Sequence, residues 1–144
     1  MEADKTKTMK LNTYLVFDGR CEEAFQFYAK VFGGEVKTLI RHGGTPAEQF
    51  VPPDWLSKVM HAEVTAGNTM LMGSDAPPDR YQPMGGFSVS VQVDQPAEAE
   101  RLFGALADGG TVRMPIQETF WAQRFGMLVD RFGTPWMINC MKQQ

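Results

Sequence analysis

Cysteine is almost missing from this chain. Its two cysteines, Cys21 and Cys140, lie far apart and without metal-ligand spacing, which speaks against a cysteine zinc site and a disulfide framework. Basic charge is not in excess either: 14 Lys and Arg stand against 17 Asp and Glu, for a net charge of −3. A nucleic-acid partner would need a basic patch, so none is expected. No apolar run approaches the length of a membrane span, and no membrane partner is expected. Met1 to Lys10 is charged and polar, with no apolar signal-peptide core. It reads as a flexible N-terminal tail over residues 1–10 of a cytoplasmic protein. No glycine-rich turn of the nucleotide-binding kind joins a strand to a helix.

What is present suits one packed domain, expected over residues 11–141. Hydrophobic residues make up 43% of the chain and charged residues 22%. The organising stretch runs from Asn12 to Gly34. Leu11 to Phe17 is rich in strand formers, and Asp18-Gly19 ends it with a candidate N-cap. Ala24, Phe25, Tyr28, Val31 and Phe32 recur at helical spacing, and Gly33-Gly34 supplies a left-handed stop. A second copy lies 76 positions on. Asp18 falls on Asp94, Glu22 on Glu98, Phe27 on Phe103, Ala29 on Ala105, Gly33-Gly34 on Gly109-Gly110 and Val36 on Val112.

Each copy continues into three more strands. The first is expected to use Glu35 to Arg41, Val59 to Ala66 and Asn68 to Ser74, turning at Ala66-Gly67-Asn68. The second is expected to use Thr111 to Glu118, Gln123 to Asp130 and Pro135 to Met141. Two βαβββ modules result, about 11–75 and 86–141, joined by a proline-rich connector. The glycine- and proline-rich segment from His42 to Trp55 is a lid or a surface excursion.

The repeat assigns strand faces. Leu11, Thr13, Leu15 and Phe17 match Phe87, Val89, Val91 and Val93, the face expected under each helix. Asn12, Tyr14 and Val16 match Ser88, Ser90 and Gln92 on the other, polar face. A polar face on a central strand suits a concave, wetted surface, where a small ligand would bind. His61 and Glu63 stand two apart on one strand face. They suit a base with its orienting carboxylate, a pair of metal ligands, or a structural hydrogen bond. Met70, Met72, Met84, Met114, Met127, Met137 and Met141 fit an adaptable pocket or a gap-filled core. Cys21 sits where a helix N-terminus would stabilise a thiolate, whereas Cys140 reads as a buried, inert thiol.

The paired βαβββ pattern, the stretch Phe27 to Gly34 and the stretch Asp130 to Trp136 resemble the glyoxalase/bleomycin resistance/dioxygenase (vicinal oxygen chelate) superfamily. Tyr14 to Gly19, Glu23-Ala24-Phe25, Met72 to Asp75 and Phe120-Trp121 are similar to its PhnB-like branch, often labelled 3-demethylubiquinone methyltransferase-like. The resemblance implies an α+β fold with a cupped eight-stranded mixed sheet, and a homodimer. It also implies a divalent metal held by His and Glu from the first and last strands of each module. Those positions fall on Asn12 or Thr13, near Leu71, on Ser88 and on Met137, none of them a His or a carboxylate. The expectation is therefore a homodimer without metal or other cofactor that binds a small organic molecule. Asn12, Tyr14, His61, Glu63, Ser88 and Ser90 would line the cup with Met137 and Asn139, and Trp121 would stand at its mouth. The alternatives are a metal-dependent lyase, isomerase or dioxygenase using His61 and Glu63, and a dimeric scaffold with a filled cup.

Overall fold

In the computed structural model, which describes residues 9–142, each module is a strand, a helix and three further strands. Residues 1–8 of the expected tail lie outside the described residues. The first module has β1 (Thr13–Phe17), α1 (Cys21–Phe32), β2 (Glu35–Arg41), β3 (Val59–Ala66) and β4 (Thr69–Asp75). The second has β5 (Val89–Gln92), α2 (Pro96–Ala107), β6 (Thr111–Gln117), β7 (Ala122–Val129) and β8 (Pro135–Met141). The eight strands form two mixed four-stranded sheets, ordered β1-β4-β3-β2 and β5-β8-β7-β6. In each, the module's first strand runs parallel to its last, and the other pairs are antiparallel. Among the described residues no helix is long and apolar enough to cross a membrane.

Alternation sorts the faces of β1. Leu15 and Phe17 are each 1% exposed, while Tyr14 is 45% exposed. Leu11 and Phe87, expected under the helices, are instead exposed, because pairing begins only at Thr13 and Val89. Ala24, Phe25, Tyr28 and Val31 of α1 are buried, as are Ala99, Leu102, Phe103 and Leu106 of α2. Burying such side chains contributes roughly 1.5–3 kcal/mol for each large one, so these stripes hold the helices to the sheets.

Asp18 does not cap α1. Asp75, at the end of β4, does so from across the module. Its Oδ1 accepts from the backbone N–H of Gly19 (3.0 Å) and Cys21 (2.9 Å), and its Oδ2 from that of Val59 (2.9 Å). One carboxylate thus ties the helix start to β3 and β4. The repeat also slips inside the helices. The closing glycines Gly33 and Gly109 keep the 76-residue offset, but the helix starts, Cys21 and Pro96, are 75 apart. Pro96 takes the first helical position, where its missing N–H costs nothing, and Asp108 is inserted before Gly109. Phe103 therefore takes the place of Tyr28 rather than of Phe27.

The modules lock through Tyr28. Its hydroxyl donates to Asp130 Oδ2 at 2.6 Å and lies 2.8 Å from Thr134 Oγ1, both in the β7–β8 turn. Trp136 Nε1 donates to the same Asp130 oxygen at 2.8 Å. At the surface, Arg20 stacks on Phe132 and Arg131 on Phe27, each guanidinium carbon 4.6 Å from the ring centre.

Candidate functional site

The face of each sheet turned away from its helix carries the candidate residues. On the first sheet, register places Tyr14, Met72, Glu63 and Thr38 in one cross-strand row. Gly73, the next residue of β4, faces the Phe25 ring, so Met72 must point outward. His61 is outward on β3, two residues before Glu63. The three polar groups form a chain: Tyr14 Oη lies 3.3 Å from His61 Nδ1, and His61 Nε2 lies 3.0 Å from Glu63 Oε2. The Tyr14 and His61 rings also stack, with centres 5.8 Å apart. The His61 and Glu63 side chains are 27% and 25% exposed, sheltered but open to a ligand.

The second sheet presents a softer surface. Ser90, Met137, Met127 and Met114 form one row, and Gln92, Asn139, Phe125 and Gln117 the next. Three adjacent thioethers make an apolar floor that can adapt to different shapes. Trp121 packs edge-on against Phe125 with ring centres 5.3 Å apart, and Phe120 packs on Trp121. Asn139 Oδ1 is buried with no hydrogen-bond partner among the described residues, an acceptor whose desolvation they leave uncompensated.

The structure brings Tyr14, His61 and Glu63 together, and separately Ser90, Met137, Asn139 and Trp121. Asn12 and Ser88 precede their strands. Asn12 instead lines a groove of about 570 Å³ between the modules, beside Tyr28, Leu102 and Trp136. Gln92 lies on the face that alternation assigned to it, whereas Phe125 belongs to the face but was not anticipated. Its strand register, which places it there, depends on pairings that no local pattern discloses.

The structure does not support a thiolate at Cys21. Cys21 is fully buried, and burial, with the charges of Asp75 and Glu22, pushes its thiol well above the ordinary range. The helix N-terminus is outweighed, and Cys140 is fully buried as well. A disulfide-exchange reagent should label neither thiol in folded protein and both in denaturant, read by absorbance; fast labelling of one thiol in native protein would contradict this burial. The segment after β2 is anchored. Two short 3-10 turns, Pro46–Phe50 and Pro53–Trp55, bury Trp55, and backbone bonds from His42 to Lys58 and from Gly43 to Leu56 close its base.

The metal ligands that the resemblance implies would stand where the first and last strands of each module meet. The outward residues at the junction of first and last strands are Tyr14 with Met72, and Ser90 with Met137. Leu71 pairs with Thr13 and Val64 on the helix side. A phenol, a hydroxyl and two thioethers do not suit a hard or borderline divalent cation. Among the described residues no three His, Cys, Asp or Glu side chains cluster as ligands.

A family model described as 3-demethylubiquinone-9 3-methyltransferase matches residues 9–139. Protein YjdN of Escherichia coli (strain K12) is 37% identical, with 94% of this chain and 98% of YjdN covered. The crystal structure of protein PA1353 from Pseudomonas aeruginosa is 45% identical, with a TM-score of 0.86 and coverage of 94% of this chain and 100% of that one. The PhnB protein from Bacillus cereus is 26% identical, with a TM-score of 0.78 and coverage of 92% and 99%. A glyoxylase/bleomycin resistance protein/dioxygenase domain from Frankia sp. EAN1pec shares the fold, with a TM-score of 0.67 at 12% identity and coverage of 94% and 98%.

Proposed function

Because this chain belongs to the family described as 3-demethylubiquinone-9 3-methyltransferase, a PhnB-like branch with the glyoxalase/bleomycin resistance fold, we propose that it binds a small organic molecule on its outward sheet faces without the metal this fold commonly carries. The observation that carries the reading is the pairing of a polar face (Tyr14, His61, Glu63) with an aromatic and thioether face (Trp121, Phe125, Met137) whose Asn139 acceptor is unsatisfied. Such a mixture suits a small molecule with a flat or apolar body and a few polar groups. The methyltransferase in the family's name has little support. Each sheet has one parallel pair and two antiparallel pairs, unlike the doubly wound parallel sheet of nucleotide-binding folds.

Within one chain, the two sheets share no strand pairing, and β1 and β5 are both edges. A second copy that brings its second-sheet face over the first-sheet face would complete the cup, so the binding species is a homodimer. The domain is the whole of residues 11–141, acting in the cytoplasm.

The test is metal analysis of protein purified without chelator, followed by a thermal-shift screen of small organic molecules. The expected result is less than stoichiometric metal and at least one stabilising compound. Trp121→Ala should weaken that compound's binding about tenfold, the scale of one lost aromatic contact. One divalent ion per chain that is lost in His61→Ala would replace this reading with a metal-dependent lyase, isomerase or dioxygenase built on His61 and Glu63.

A further inference from the structure

We propose that Tyr14 is an acid–base residue: His61 takes and returns its phenolic proton, and Glu63 holds His61 in the tautomer that allows this. The proposal rests on reading the first-sheet face as ligand-facing, and its substrate class is a small molecule bearing a carbonyl with an acidic neighbouring C–H. The argument begins with donors and acceptors. An ionised Glu63 only accepts, so His61 Nε2, 3.0 Å from it, must carry the proton. The neutral ring then has a lone pair on Nδ1, 3.3 Å from Tyr14 Oη, and only the phenol can donate there. The order carboxylate, imidazole, hydroxyl is the general arrangement of an activated oxygen, in which the third group orients the base.

The fold makes little use of this chain of groups. Among the described residues, none of the three side chains caps a helix or bonds a backbone group, and Tyr14 is 45% exposed. Cross-strand pairs on an open sheet contribute only roughly 0.2–1 kcal/mol. The phenolic oxygen keeps free lone pairs on its open side. In the forward step the Tyr14 O–H bond breaks and its proton goes to Nδ1, making an imidazolium balanced by the Glu63 carboxylate. The phenolate takes the proton from the substrate carbon, and that electron pair becomes the enolate. Reversal at a different carbon or oxygen returns the proton, so the relay ends as it began with no oxidant or co-reactant.

The test needs no native ligand. The full chain is treated with p-nitrophenyl acetate, and acetylation of each tyrosine is followed by peptide mass spectrometry. The Tyr14 oxygen attacks the acetyl carbon, p-nitrophenolate leaves with the bonding pair, and the phenolic proton goes to His61. Tyr14 should be acetylated at least about tenfold faster than free N-acetyltyrosinamide, a small part of what general-base assistance supplies. That rate should fall about tenfold in His61→Gln and about threefold in Glu63→Gln, with Tyr81 acetylation unchanged in both as the check on folding. A Tyr14 rate no higher than that of the free phenol, or one unmoved by either variant, overturns the proposal. If His61→Gln does not fold, the isosteric Glu63→Gln decides. An empty ligand screen alongside fast, His61-dependent acetylation would count against the binding reading alone.

Discussion

Asp130→Ala is expected to lower the unfolding free energy by about 5 kcal/mol, as one carboxylate's loss strands several buried donors. Asp130 is 4% exposed. Its Oδ1 accepts from the backbone N–H of Phe132 (2.9 Å) and Thr134 (3.0 Å), and its Oδ2 from Tyr28 and Trp136. Each stranded donor costs roughly 1–3 kcal/mol, and Tyr28 keeps Thr134 as a partial replacement. For a domain of this size the melting temperature should fall by about 10–20 °C. Urea titration of the pair would measure it, and a loss below about 1 kcal/mol would refute the lock. Tyr28→Phe should cost about 1–2 kcal/mol, and the two changes together less than their sum, because they break the same bond.

The lock also has a pH signature. Burial, and then the Asp130 charge, pushes the Tyr28 phenol well above its ordinary range. The folded state therefore holds this proton more tightly than the unfolded chain. Its contribution is complete below about pH 10, the unfolded phenol's value, and is lost as the pH rises further. The raised Cys21 thiol acts with the same sign, from about pH 8.5.

Gly34→Ala is the second large effect expected, at about 3 kcal/mol. The reason is steric and not conformational. A Cβ at Gly34 would collide with the Thr65 carbonyl oxygen, and one at Gly110 with that of Val129. Both glycines let the chain leaving a helix pass against the end of a neighbouring strand. Gly33 supplies the contrast. Its φ is +68° and a Cβ there meets nothing, so Gly33→Ala should cost only roughly 1 kcal/mol. Denaturant midpoints of the two variants test the difference. Equal losses would mean that backbone relaxes around residue 34 and that close approach is not what selects glycine there.

Much of this architecture was legible along the chain because it is local. The stripe from Ala24 to Val31, the Gly33 stop and the alternation around Tyr14 each follow from short periods, and β2 and β8 have the expected bounds. What was not legible depends on partners distant in sequence. Asp75 caps α1 from 54 residues beyond Cys21, so the nearer Asp18 looked like the cap. Asp130 reads as an ordinary turn residue until Tyr28, 102 positions earlier, is placed beside it. Where pairing stops is also non-local: Leu11 and Phe87 continue their strands' alternation but have no strand to pair with. In the site, His61 and Glu63 were visible as an i, i+2 pair. Tyr14 joins them only through the order β1-β4-β3, and Asn12 fell out because β1 starts after it.

The Tyr28 lock has a consequence for synthesis. A ribosome makes the aromatic stripe of α1 early, yet Asp130, Thr134 and Trp136 emerge roughly a hundred residues later, about 5–20 s at ordinary elongation rates. During that interval the nascent first module carries a hydroxyl and several rings without their seat. It stays in a provisional state, open to chaperones and to neighbouring nascent chains, until the end of the second module has been made.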